Sequence, residues 1–328
     1  MGGGGTFYDR DTTDGYAKTS DGFSQKAEEL MSLSGVDPGV LPKGRTLVST
    51  AKSPVVYAFD VTGSVDRLPL IITDKMPMIA GQILENGYLD DPEISLAAVG
   101  DATRDTAPIQ VADFAKIKNL DDWLKRLWRE KGGGGNGVEG YEHMAYFYAR
   151  NCQMPNAVTP FFLFTADEGM RETLYKSDLE RLFGGTHETI SAVKVFKELD
   201  KKFKGNVFLI HRYYGQGDEE ALSGWRKCIG DERIIRLGSD LAIADLTLGL
   251  FAVVTGSRTL EEYLDDMTNK RDKAQTAERI KEVRDSLKQV AAFAKARPMP
   301  RPARGSSAPA KGDKPKAPTG KGRKPGRV

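Results

Sequence analysis

The sequence predicts an α/β fold with a doubly wound, mostly parallel central sheet that is flanked by helices. Short apolar runs alternate along the chain with longer segments of helical spacing. The runs lack polar alternation, which is typical of parallel strands that are buried on both faces. Asp60 ends the first run, and Asp101 and Asp167 each follow a later run within two residues. Ligands collect at the carboxyl ends of such strands, so these acids are the first candidates for a site.

The individual elements follow from the spacing of apolar residues. We expect strands at 54–60, 93–99, 160–165, 206–211 and 233–237. We expect helical segments at 69–84, 120–128, 139–150, 191–203 and 243–254, followed by a long charged helical region at 259–295. Parallel strands need crossover connections, and these helical segments can supply them.

The predicted organisation has four parts. These are an irregular N-terminal arm at 1–45, one α/β domain at 46–258, a helical extension at 259–296 and a tail at 297–328. The formal net charge is only +2, but from residue 297 onward ten basic residues face one acid. The tail therefore carries +9 and the rest of the chain −7. The tail is rich in Pro, Lys, Ala, Gly and Ser, so we expect this basic segment to be disordered.

Cellular location is indicated by what the sequence does not contain. The two cysteines, Cys152 and Cys228, do not have the spacing of a zinc site or a disulfide framework. No secretory signal follows the glycine-rich start, and no apolar stretch is long enough for a transmembrane helix. We therefore expect a cytoplasmic protein that does not associate with membranes.

The loop after the first predicted strand carries oxygen donors at alternate positions. Asp60, Thr62 and Ser64 can point to one side of a tight turn. Oxygen donors are the ligands that Mg²⁺ or Mn²⁺ prefers, and a second acid would strengthen the site. Asp167, at the end of another strand, is that second acid. Asp101 either lies at the rim of this site or caps a turn.

These motifs resemble those of von Willebrand factor A (vWA) domains. PVVYAFDVTGS is similar to the DxSxS or DxTxS loop of their metal-ion-dependent adhesion site, and PFFLFTADEG to their later T-D-G strand end with one residue inserted. The similarity runs in the same order from about residue 54 to residue 256. It implies a Rossmann-like fold in which Thr62 and Ser64 bind the metal through their hydroxyls. Asp60 and Asp167 would hold the ion directly or through water.

The chain departs from the family pattern at one position. A glycine run followed by a helix is similar to the family's GGT segment, but Gly134-Gly135-Asn136-Gly137 contains no threonine. Glu139 or Asn136 could substitute, since each brings an oxygen, or the glycines could serve only to start a helix. If Glu139 binds directly, the site is more anionic, holds its metal more tightly and attracts acids less.

The resemblance implies a function as a metal-dependent protein-binding module of prokaryotic or phage type. The implied partner is a protein that presents an acidic residue to the metal, and such modules often work beside AAA+ ATPases of the MoxR type. A competing interpretation is a nucleic-acid-associated scaffold that grips RNA or DNA with the basic tail. A metal-dependent hydrolase ranks last. The chain has no P-loop, G-x-S-x-G or HExxH motif, so we expect no catalysis.

Overall fold

A six-stranded sheet forms the centre of the computed structural model, which describes residues 35–65, 67–129, 137–215, 217–269 and 275–297. Its spatial order is β6-β5-β4-β1-β2-β3, and neighbouring strands are parallel except for the antiparallel pair β2–β3. The predicted doubly wound, mostly parallel sheet is therefore confirmed. The strands are β1 (Ser53–Asp60), β2 (Pro92–Val99), β3 (Ile109–Val111), β4 (Phe161–Ala166), β5 (Val207–Arg212) and β6 (Ile234–Leu237).

Strand β1 is buried along its whole length, as its unbroken apolar run predicted. Successive side chains of a strand point to opposite faces of the sheet. Val55, Tyr57 and Phe59 accordingly lie in the apolar cluster on one face, and Val56 and Ala58 lie in the cluster on the other. The sheet is thus the middle layer of three.

Nine α-helices occur within the described residues, and most of them cover one face of the sheet or the other. Helices α1, α7, α8 and α9 contribute buried side chains to the first cluster, and α3 to α6 contribute to the second. The helices are α1 (Leu68–Glu85), α2 (Leu120–Leu124), α3 (Tyr141–Arg150), α4 (Lys176–Phe183), α5 (Ala192–Lys202), α6 (Asp218–Ile229), α7 (Ile243–Val254), α8 (Leu260–Asn269) and α9 (Ala277–Ala296).

Helix α2 is shorter than the predicted segment 120–128. The last predicted turn is not helical. There, the backbone of Trp128 forms two hydrogen bonds of 2.8 Å with the side chain of Gln110 in β3. The charged region at 259–295 forms two helices, α8 and α9, instead of one continuous segment. Strand β3 and helices α4 and α6 were not predicted, because each is short or begins with several polar residues.

Helix α9 packs on α7 through a close approach of the two helices. Val283, Leu287 and Val290 are fully buried, and a Cβ atom added at Gly249 would lie 2.5 Å from Leu287 Cδ1. None of the helices in the described ranges is long and apolar enough to cross a membrane. The predicted arm up to residue 34 and the predicted disordered tail from residue 298 lie outside the described residues.

Candidate metal centre

The candidate site lies where the strand order of the sheet reverses. Strands β1 and β4 are neighbours at the centre of the sheet, and the chain winds outward from them in opposite directions. Asp60 is the last residue of β1, and Asp167 comes directly after the last residue of β4. A crevice at this position is the usual ligand site of a doubly wound sheet.

The loop after β1 gathers Asp60, Thr62 and Ser64 around one point. The Asp60 Oδ1 atom accepts hydrogen bonds from the Thr62 backbone amide at 2.8 Å and from the Thr62 hydroxyl at 2.6 Å. The Ser64 hydroxyl lies 3.1 Å from the Thr62 hydroxyl. Three oxygen donors that the sequence predicted as ligands are therefore close together.

Asp167 closes the same point from the neighbouring strand. Its carboxylate shares a hydrogen bond with Ser64 and accepts one from the Tyr214 hydroxyl at 3.3 Å. Its Oδ1 atom lacks a hydrogen-bond partner among the described residues. Burial raises the pKa of Asp167. Burial and then the charge of Asp167 raise the pKa of Asp60, so the two buried carboxylates repel each other.

Glu139 approaches the centre through a short pairing of backbone segments. The two-residue strand Val138–Glu139 runs parallel to Gly169–Met170, just after Asp167. The Gly140 amide donates to the Gly100 carbonyl at 2.9 Å, and a Cβ atom at Gly140 would lie 2.8 Å from that oxygen. Glycine at 140 therefore allows this segment to lie close to the backbone that follows β2. The predicted helix from about residue 139 begins instead at Tyr141, so Glu139 lies on a strand.

The carboxylate of Glu139 is buried without a hydrogen-bond partner among the described residues. The residue is 0% exposed, and neither carboxylate oxygen has a hydrogen-bond partner within the described residues. Burial, followed by the charges of Asp60, Glu168, Asp101 and Asp105, raises the pKa of Glu139 to about 10. A cation or a proton is the chemical complement of such a group. The alternative ligand, Asn136, lies outside the described residues.

Asp101, two residues after β2, is a buried acid whose negative charge is balanced by a positively charged side chain. Its Oδ1 atom accepts from the Thr103 amide and the Thr103 hydroxyl, each at 2.8 Å, as Asp60 does from Thr62. In addition, the Arg171 guanidinium donates to Oδ1 at 2.8 Å. Asp101 is therefore bound to a cation of the chain itself, which supports its interpretation as a structural acid.

Two tyrosines complete the surroundings, and sequence reasoning did not assign either to the site. The Tyr141 hydroxyl donates a short hydrogen bond to Asp60 Oδ2, and the Tyr214 hydroxyl donates to the Ser64 carbonyl at 2.8 Å. Tyr214 comes two residues after β5, so the strand-end rule that selected Asp167 could have found it.

The donor set can be tested against the metal that the family resemblance implies. Across the described residues, no group of three or more His, Cys, Asp or Glu side chains is arranged to hold a metal ion. A cation bound here would therefore depend on the hydroxyls of Thr62 and Ser64 as well as on carboxylates. All the donors are oxygens, and several buried carboxylate atoms lack hydrogen-bond partners among the described residues, so the donor types fit a hard cation such as Mg²⁺ or Mn²⁺.

Comparisons with known proteins yield solved structures only, since no family model and no curated protein matches the chain. The pilus adhesin SpaC from Lactobacillus rhamnosus GG is similar at 9% identity and a TM-score of 0.40, covering 64% of this chain and 31% of the adhesin. A von Willebrand factor type A structure from Catenulispora acidiphila has 16% identity and a TM-score of 0.34, with 65% and 47% covered. BatB from Bacteroides thetaiotaomicron has 13% identity and a TM-score of 0.34, with 61% and 98% covered.

The described chain has a doubly wound α/β fold. Its sheet brings the Asp60 loop and Asp167 to one crossover point, in the chain order that the sequence motifs predicted. The chain spans less than half the length of the first two structures, so the comparisons concern the fold alone. The metal-ion-dependent adhesion site and its ligands stay predictions.

Proposed function

We propose that this chain is an intracellular protein-interaction module that binds Mg²⁺ or Mn²⁺ and uses the ion to hold a protein partner. One observation carries the proposal. Asp60 and Asp167 are buried together at the strand reversal, beside the hydroxyls of Thr62 and Ser64. Within the described residues neither carboxylate forms an ion pair with a Lys or Arg, so a divalent cation would relieve their mutual repulsion.

The chain's own residues suggest how the ion would be held. Thr62 and Ser64 would contribute neutral hydroxyls, and Asp60 and Asp167 would contribute negative charge, directly or through water. Glu139 would add a further carboxylate from the neighbouring backbone segment. The ion would supply a positively charged contact at the mouth of the site. The role is one of binding and not of catalysis, and a larger assembly with an AAA+ ATPase of the MoxR type is the setting that the family resemblance implies.

Isothermal titration calorimetry on metal-free protein tests the metal site. We expect Mg²⁺ or Mn²⁺ binding in the unmodified chain and its loss in Asp60→Asn and in Asp167→Asn, which keep the shape of each side chain but remove its charge. Asp101→Asn is the matched control, because Arg171 already neutralises Asp101, so this variant should keep its metal binding. Binding that is undiminished in both site variants would sink the proposal.

A second experiment tests the interaction role. Immobilised protein should retain partners in Mg²⁺ buffer and release them in EDTA. The Asp60→Asn variant should retain none of these partners, while Asp101→Asn should retain them. Partners that bind equally well with and without EDTA would show that the interaction does not pass through the metal.

A further inference from the structure

A groove of about 700 Å³ lies between the C-terminal half of α1 and the segment at 116–118, near the start of β2. Leu84 lines this groove and is 54% exposed, although it is a large apolar side chain. The candidate metal centre lies at the opposite ends of the strands, so the groove is a separate surface. The apolar residues that line it are Pro77, Met78, Leu84, Pro92 and Ile117.

The described chain begins on the helical segment that forms one wall of this groove. Asp37 accepts hydrogen bonds from Nε and Nη2 of Arg126, at 2.5 and 3.4 Å, and Val40 is fully buried in the first apolar cluster. Arg126 lies two residues after α2, and α2 follows directly on the 3₁₀ helix Ile117–Asn119. The positions from Lys118 in the groove to Arg126 span about 12 Å along such a segment. The chain is therefore anchored close to the groove.

The sequence that precedes this anchor has the pattern of a short amphipathic helix. Phe23, Ala27, Leu30 and Met31 have the spacing i, i+4, i+7 and i+8, which puts them on one face of a helix. Ser24 is a favoured residue at a helix start. All of these positions lie outside the described residues. An isolated helix of this length is marginal in water, because its nucleation is costly, so it needs an apolar surface to pack on.

The charges of this segment complement those at the rim of the groove. With 3.6 residues per turn, Lys26 and Glu28 flank the apolar face on opposite sides. One wall of the groove carries the exposed Glu85, and the other carries the exposed Lys118. The four positions that precede Asp37 span at most about 14 Å, which is enough to bring the segment from its anchor to the groove.

We propose that residues 23–33 of this chain dock in the groove between α1 and the segment at 116–118, as an amphipathic helix that packs Leu30 and Met31 against Leu84. Docking buries the apolar face of the helix and the exposed side of the groove together. Burial of one Leu or Met side chain shifts such an equilibrium about tenfold or more. The N-terminal arm is then a packed part of the α/β domain, and this inference does not depend on the proposed metal site.

Hydrogen–deuterium exchange of the full chain, measured by mass spectrometry, tests the docking. In the unmodified chain, the amides of residues 25–33 should exchange at least about tenfold more slowly than those of a free peptide of the same sequence. Leu30→Lys should remove this protection by charging the apolar face, and Leu84→Lys should remove it from the groove side. The matched controls should keep the protection. Ser32→Lys lies opposite the apolar face, and Leu241→Lys changes a 43% exposed leucine that does not line the groove.

Slow exchange in β1 checks that each variant is folded, and Leu30→Lys decides the outcome if Leu84→Lys disturbs that strand. Free exchange of residues 25–33 in the unmodified chain would overturn the inference, and so would protection that survives in both variants. Protection that falls on dilution, together with a dimer in size-exclusion chromatography, would assign the segment to the groove of a second copy and would also overturn it. Equal protection at two concentrations of a monomer is the expected result.

Discussion

Replacing Glu139 by Gln is expected to make the metal-free protein less sensitive to alkaline pH. The pKa of Glu139 is raised from 4.5 to about 10, first by burial and then by the charge of Asp60. Between these two values the folded state keeps a proton that the unfolded state has released. Because the unfolded state binds fewer protons in this window, the stability of the folded state falls as the pH rises.

The magnitude follows from the linkage between proton binding and folding. One proton retained only in the folded state costs about 1.4 kcal/mol of stability for each pH unit. From about pH 7 to about pH 8.5, Glu139 alone should therefore lower the free energy of unfolding by roughly 2 kcal/mol. Gln cannot ionise, so this contribution to the slope should be absent in Glu139→Gln.

Urea unfolding in EDTA, followed by circular dichroism at several pH values, measures this slope. The difference between the two proteins isolates Glu139, because every other titratable group is common to both. Glu188→Gln removes an exposed acid and should keep the slope of the unmodified chain. Parallel pH profiles for the unmodified chain and Glu139→Gln would refute the reasoning, since they would mean that Glu139 is ionised and compensated in the folded protein.

Three further outcomes are expected. Mg²⁺ at about 100 times its dissociation constant should stabilise the unmodified chain by about 2.7 kcal/mol, and thermal scans should show no such gain with EDTA or in Asp167→Asn. Arg171→Met should cost roughly 2 kcal/mol in urea unfolding, because it removes the 2.8 Å charge-assisted hydrogen bond to buried Asp101, which keeps the Arg104 guanidinium at 3.8 Å; a loss below about 0.5 kcal/mol would argue against this hydrogen bond. Gly249→Ala should cost about 1–3 kcal/mol, because the new methyl would overlap Leu287, and an unchanged urea midpoint would contradict the close helix contact.

The central strands could be predicted from the sequence because their signals are local. The expected strand 54–60 is observed as Ser53–Asp60, and 93–99 as Pro92–Val99. A buried parallel strand needs an unbroken apolar run, and the polar residues beyond it mark its end. The end of α2 was missed for the opposite reason. It depends on two hydrogen bonds between Trp128 and Gln110, which are 18 positions apart, and no local spacing encodes that pairing.

The candidate site divides in the same way. Asp60, Thr62 and Ser64 lie within one loop, so their spacing alone indicated that their oxygens would meet. Asp167 required only the rule that parallel strands end at the same edge. The surroundings of Glu139 could not be predicted, because its acidic neighbours come from several separate loops. That neither of its oxygens has a hydrogen-bond partner within the described ranges is a property of the fold and not of any motif.

The contrast between Asp60 and Asp101 shows why the D-x-T pattern by itself does not assign a metal site. Both acids accept hydrogen bonds from the backbone amide and the hydroxyl of a threonine two residues later, within 2.6–2.8 Å. At Asp101 the guanidinium of Arg171 also arrives from another loop and supplies the positive charge. At Asp60 the additional donor is the neutral phenol of Tyr141, which leaves the charge in place. The local pattern therefore builds two similar hydrogen-bonded loops, and the distant residue that reaches each one decides whether the charge of its aspartate is neutralised within the chain.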